Sequence, residues 1–202
     1  MNMKVGVLAL QGDFEAHVRV VRSLGAEARE VRRCAELRGL QGLVLPGGES
    51  TTLLHLMGGE PWFEELRRFH DEGGALFGTC AGAILLAREV QHPPQPSLGL
   101  LDVVVERNSY GRQVDSFETR IETPELGGSV EAVFIRAPRF RGLGPAVKVV
   151  ARHRGEPVLV RQGRILAGTF HPELTSDSRI HRYFLDLVQE ERSGTQTLRV
   201  VG

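Results

Sequence analysis

Short apolar runs, each cut off by a turn containing glycine and each followed by a stretch of helical period, constrain this chain more than any other feature. Residues 5–10 (Val-Gly-Val-Leu-Ala-Leu) stop at Gln11-Gly12, residues 42–45 (Gly-Leu-Val-Leu) stop at Pro46-Gly47-Gly48, and residues 75–77 (Ala-Leu-Phe) run into Gly78. Runs so short, with no polar alternation, suit strands buried on both faces of a parallel sheet. Helical spacing follows them over 14–24, where Phe14, Val18 and Val21 share a face and Gly25 is the stop, and over about 51–57. It recurs over 62–72, ended by Gly73-Gly74, and over 81–89. This order predicts an α/β fold: a doubly wound, mostly parallel sheet flanked by helices, with ligands at the carboxyl ends of the strands.

The second half is richer in strands, at 101–106, 117–122, 130–136, 147–153, 158–161 and 165–170, and these predict an antiparallel extension. The last two form a hairpin through Gln162-Gly163, and 179–192 is a closing amphipathic helix. Three prolines make 91–97 a loop, since they fit neither helix nor central strand. The 202 residues suit one domain, placed at 1–192, with 193–202 as a C-terminal tail.

Lys+Arg and Asp+Glu number 25 each, so nothing in the charge draws the chain to nucleic acid or to an anionic membrane. Its apolar runs fall far short of the roughly 18 residues of a membrane span, and residues 1–10 lack the pattern of a signal peptide. Two cysteines, Cys34 and Cys80, make no disulfide framework and have no zinc-ligand spacing, so no metal is expected. A soluble, cytoplasmic protein is the expectation.

Gly78-Thr79-Cys80-Ala81-Gly82 lies between a predicted strand and a predicted helix, the setting of a nucleophile elbow with sulfur in place of a hydroxyl. The sharp turn lifts the nucleophile above the sheet, glycines let the backbone come close, and the helix N-terminus favours a thiolate. A thiol nucleophile needs a base and a group to orient that base. Phe170-His171-Pro172-Glu173 offers both: in extended chain His171 and Glu173 point to one side, and Pro172 limits their freedom. Leu45-Pro46-Gly47-Gly48-Glu49-Ser50 is a further strand end, where Gly48 can turn an N–H toward an oxyanion, with Ala81 N–H as second donor. Read alone, that segment is a glycine turn with Ser50 capping a helix. Cys34 has neither base nor elbow and reads as an ordinary thiol. His17, His55, His70, His92, His153 and His181 are scattered, as surface or packing histidines are. From these residues a cysteine peptidase, a thioesterase-like hydrolase or a regulatory subunit on the same fold stays open.

These pieces, in this order, resemble the class I (triad) glutamine amidotransferases, and among them the glutaminase subunits of pyridoxal 5′-phosphate synthases. The similarity rests on residues 5–12, 45–52, 77–82, 105–118, 134–138 and 169–175, and runs from about Lys4 to Gln189. Ala83-Ile84 departs from the His-Gln or Met-Gln often found there in sister subfamilies. The resemblance implies Cys80 as nucleophile, with His171 and Glu173 completing the triad, and Gly48, Glu49, Ser50, Arg107, Ile135 and Arg136 in contact with L-glutamine. Arginine suits the carboxylate of an amino acid, but without the resemblance Arg107 and Arg136 are two among 23 arginines. It further implies hydrolysis to L-glutamate and ammonia through a glutamyl thioester, with no cofactor. The partner it implies is a synthase subunit that receives the ammonia and meets this chain near Gln11.

Overall fold

The turn-punctuated apolar runs become strands whose carboxyl ends gather at one edge. The computed structural model describes residues 3–107 and 116–197, with side chains through 190. In chain order the elements are β1 (Lys4–Leu8), α1 (Phe14–Ser23), β2 (Glu27–Val31), β3 (Gly42–Leu45), α2 (Ser50–Met57), α3 (Trp62–Asp71), β4 (Ala75–Thr79) and α4 (Ala81–Leu86). There follow β5 (Ala87–Gln91), β6 (Leu101–Glu106), β7 (Ser116–Thr123), β8 (Gly128–Ile135), β9 (Arg139–Arg141), β10 (Lys148–His153), β11 (Glu156–Gln162), β12 (Ile165–Gly168) and α5 (Arg179–Thr197). Residues 108–115, part of the stretch similar to the glutaminase subunits, lie outside the described residues, as do 198–202.

The large sheet runs β2-β1-β3-β4-β12-β11-β10-β7-β8, and a small one runs β5-β6-β9. From β2 to β12 neighbours are parallel, and from β12 to β8 they are antiparallel. The expected parallel sheet with an antiparallel extension is therefore present, including the hairpin of β11 and β12. With β2 on one flank of β1 and β3 on the other, the winding reverses there, which opens a crevice at the strands' carboxyl ends. Gln11-Gly12, Gly47-Gly48, Cys80 and His171 follow β1, β3, β4 and β12 respectively.

Both faces of the sheet are covered. Val44 and Phe77 join Val18, Val21 and Phe184 of α1 and α5, whereas Leu43, Leu45 and Leu76 join Leu53, Trp62, Leu66 and Ile84 of α2, α3 and α4. Alternate strand residues thus enter opposite cores, and each fully buried large side chain contributes about 1.5–3 kcal/mol. That is why the strands read as unbroken apolar runs. Among the described residues no helix is long and apolar enough to cross a membrane.

Some boundaries differ from expectation. The helix expected over 81–89 ends at Leu86, and Ala87–Gln91 is instead β5, parallel to β6. The N–H groups of Leu98, Leu100 and Gly99 bond back to the carbonyls of Leu85, Leu86 and Ala87, so these acceptors are satisfied without more helix. β2 was not expected, because Glu27-Ala28-Arg29-Glu30-Val31 is an edge strand that buries only Ala28 and Val31. β9 was missed as well, being three residues long. α5 continues to Thr197, past the expected end at 192.

Candidate active site

Cys80 stands where β4 turns into α4, with φ 48° and ψ −104°, a backbone conformation that costs a non-glycine residue free energy unless its surroundings enforce it. They do. Cys80 N–H donates to Gly168 O at 2.9 Å, and Cys80 O accepts from Ile84 N–H at 3.1 Å. A Cβ on Gly82 would lie 1.9 Å from Leu45 O, and one on Gly78 2.6 Å from Gly82 C, so the elbow closes only because both are glycine. The sulfur is free and its residue 5 % exposed.

His171 follows β12, held by its N–H on Val133 O at 2.8 Å. Its Nδ1–H donates to Glu173 Oε1 at 2.8 Å, and the Cys80 side chain lies beside it in the same cavity wall. The extended chain expected to set this pair side by side is absent. Pro172–Leu174 is instead a 3₁₀ turn begun by Pro172, whose fixed φ suits a first helical position, and the turn brings Glu173 back under the ring. Burial alone pulls the imidazole down, but hydrogen bonds and charge from Cys80 and Glu173 outweigh it and raise His171 to about 10. The charged ring is favoured between these partners.

Across from Cys80 passes the Gly47-Gly48 arm. A Cβ on Gly47 would sit 2.4 Å from His171 Cε1 and 3.2 Å from Cys80 Cβ, so the backbone lies directly on the pair. Gly48 has φ +136°, and its missing Cβ would strike the Gln11 amide at 2.5 Å. Gln11 Oε1 accepts from Glu49 N–H at 3.1 Å, and Gly12 touches Gly47 O, so the β1–α1 turn braces the arm. The cap of α2 is Glu49, not Ser50: its carboxylate accepts from Thr51 N–H at 3.2 Å and Thr52 N–H at 2.8 Å. The Thr51 hydroxyl, with these bonds, holds Glu49 down at about 2, so it is ionised. Ser50 begins the helix and donates to Gln95 Oε1 at 2.9 Å, which ties the proline-rich loop to the site.

Gly48, Glu49, Ser50, Cys80, Arg107, Ile135, Arg136 and His171 line one cavity of about 220 Å³. Ala81 is the first residue of α4, directly after Cys80, and Glu173 lies behind His171, its side chain 0 % exposed. Every anticipated site residue is thus in the cavity wall or immediately behind it. Arg107 Nη2 lies 3.6 Å from Glu49 Oε1, and Arg136 takes φ 41° at the end of β8. Gly12, from the Gln11-Gly12 turn, also lines the wall, and Asp13, Ile84 and Pro138 complete it and were not anticipated, although Asp13 directly follows a strand-end turn. Asp13, His171 and Glu173 bring one possible metal ligand each within 4.8 Å of one another, but His171 and Glu173 are already spent on each other. His17 and His181, set aside as scattered, are fully buried behind Glu173. His17 shares the helical face of Phe14 and Val21, a signal that was available.

The SNO glutamine amidotransferase family matches this chain over residues 7–190. A relative from Thermus thermophilus is 58 % identical over 189 residues, 93 % of this chain and 98 % of the relative; one from Koribacter versatilis is 54 % identical over 192 residues, 95 % and 99 %. Both are named pyridoxal 5′-phosphate synthase subunit PdxT. A crystal structure described as a glutamine amidotransferase superposes with TM-score 0.87 at 56 % identity, covering 92 % of this chain and 98 % of that one. A putative GMP synthase component from Thermoplasma acidophilum shares the fold, with TM-score 0.72 at 21 % identity over 97 % and 98 % of the chains. Near-complete coverage at the identities of the first three leaves one conclusion: the chain belongs to the SNO glutamine amidotransferase family.

Proposed function

We propose that this chain is the glutaminase of a pyridoxal 5′-phosphate synthase, hydrolysing L-glutamine to L-glutamate and ammonia through Cys80, His171 and Glu173. The observation that carries the reading is the run of contacts from Cys80 through His171 to Glu173, opening on a cavity lined by Arg107 and Arg136. The Cys80 sulfur attacks the side-chain amide carbon, and N–H groups of Gly48 and Ala81 bind the tetrahedral oxyanion. His171 gives its proton to the leaving nitrogen, the C–N bond breaks, and ammonia departs from a γ-glutamyl thioester. The ring next takes a proton from water, whose oxygen attacks the thioester. The C–S bond breaks, glutamate leaves, and the free sulfur and the charged ring are restored. Glu173 orients His171 and stabilises its charged form throughout. Arg107 and Arg136 take the substrate carboxylate, while the ionised Glu49 suits the ammonium group and Ser50 and Ile135 fill the wall between.

Ammonia loose in neutral water is protonated and no longer a nucleophile, so a docked acceptor protein makes chemical sense. Gln11-Gly12 braces the Gly47-Gly48 arm, so contact of the synthase subunit near Gln11 would reach the oxyanion donors through one layer of atoms. The test is glutamate release by the chain assembled with its synthase subunit, for wild type and Cys80→Ala. Wild type turns over, and Cys80→Ala does not while still binding the partner. Turnover in Cys80→Ala overturns the mechanism.

A further inference from the structure

Behind the triad, α1 and α5 meet through two histidines where apolar side chains would pack as well. His17 and His181 are both fully buried, and His17 Nδ1 lies 2.9 Å from His181 Nε2. Phe77 packs edge-on against both rings, at centroid distances of 6.3 and 5.6 Å. On its other side His17 Nε2 is 3.3 Å from Glu173 Oε2 and 3.4 Å from Thr79 Oγ1. Imidazoles in such a place cost desolvation free energy that only use of their nitrogens offsets.

The number of protons restricts what this line of nitrogens can be. Burial lowers both histidines, His181 to about 4 and His17 well below its ordinary value, so each ring is neutral with one N–H. Glu173 Oε1 accepts from His171, whereas Oε2 is buried with no hydrogen-bond partner among the described residues. A carboxylate oxygen only accepts. His17 therefore presents Nε2–H to it, because a lone pair would face another lone pair at 3.3 Å. His17 Nδ1 is then an acceptor and His181 Nε2–H its donor. The lone pair of His181 Nδ1 is left over, and that atom is also without a partner among the described residues. In this structure His17 Nε2 is hydrogen-bonded to Thr79 Oγ1 at 3.4 Å, and Glu173 Oε2 lies 3.3 Å from the same nitrogen without an aligned hydrogen bond, as catalytic contacts in ligand-free sites are often long or poorly aligned.

We propose that His17 is a positioning residue: its Nε2–H holds Glu173 Oε2, with His181 fixing the tautomer from behind, so that Oε1 stays aimed at His171. Held at one oxygen, a carboxylate can swing about its terminal bond; held at both, it cannot. The inference rests on the triad reading above.

Two amides separate this role from mere packing. In His17→Gln the side-chain NH2 falls near the position of Nε2 and keeps the donor toward Glu173; in His17→Asn the amide reaches only as far as Nδ1, where its oxygen can accept from His181 Nε2–H, and no donor faces Glu173. Glutamine turnover is measured per folded molecule, with the chain assembled with the synthase subunit. His17→Gln keeps kcat within about threefold, whereas His17→Asn loses about tenfold or more, the scale on which a partner's partner acts in histidine sites. KM stays within about twofold in both, since neither touches substrate. In a Glu173→Ala background the difference between the two vanishes, because the effect runs through that carboxylate. Equal kcat in the two variants, a difference that survives Glu173→Ala, or a His17→Gln protein that does not fold would each overturn the proposal. If His17→Asn does not fold, His17→Leu takes its place with the same expectation. Failure of the triad reading looks different: there Cys80→Ala retains turnover.

Discussion

His181 has its imidazole held down at about 4 by burial, against an ordinary 6.5. The unfolded chain therefore takes up a proton at a pH where the folded one does not. For a group lowered in this way, the stability it contributes is present above 6.5 and is lost as the pH falls toward the folded value. The full gap is about 3 kcal/mol, of which about 2 kcal/mol is gone by roughly pH 5. For a chain of this size that corresponds to a fall in Tm of about 4–8 °C. His181→Gln removes the titration while keeping an N–H where Nε2 donates to His17. Urea or thermal unfolding is followed for wild type and His181→Gln from neutrality to about pH 5. Wild type loses about 2 kcal/mol more than the variant over that interval. Parallel losses would refute the reasoning, since they would mean that His181 is not held neutral in the folded chain.

Arg107→Ala and Arg136→Ala raise KM for glutamine by about tenfold to a hundredfold with smaller changes in kcat, as loss of a charged hydrogen bond worth roughly 1.5–3 kcal/mol requires; steady-state kinetics check this, and a wild-type KM refutes it. Gly82→Ala places a Cβ 1.9 Å from Leu45 O, so the elbow has to open: stability falls by about 1–3 kcal/mol, read from urea unfolding, with turnover falling too. The free chain is a poor glutaminase and gains about 10²–10³ in kcat on assembly if one oxyanion donor is supplied by docking; equal kcat for free and assembled chain at saturating glutamine removes this activation and leaves the triad untouched.

What could be read from the sequence and what could not divide along a physical line. Cys80, Gly48 and His171 sit at strand ends, where turn chemistry is local: Gly78 and Gly82 are needed within two residues of the sulfur they expose, and the apolar run before them announces the strand. β2 escaped notice because an edge strand buries one residue in two or fewer, so Glu27–Val31 carries little apolar signal. The end of α4 escaped because its stop is not local: the donors for its last carbonyls come from residues 98–100, while Ala81–Leu86 is apolar throughout and shows no change of period. His17 falls between these cases. Its place on the Phe14/Val21 face made burial readable, but its polar neighbours are Glu173 on one side and His181, 164 residues away, on the other. A helix face in sequence says that a side chain points inward and not what it meets there. In this fold Cys80 and His171 stand at strand ends, and the side chains packed behind them come from helices on one face. Local patterns therefore reach the proposed triad and stop one layer short of the histidines behind it, and the exchange of His17 for Gln or Asn is aimed at that layer.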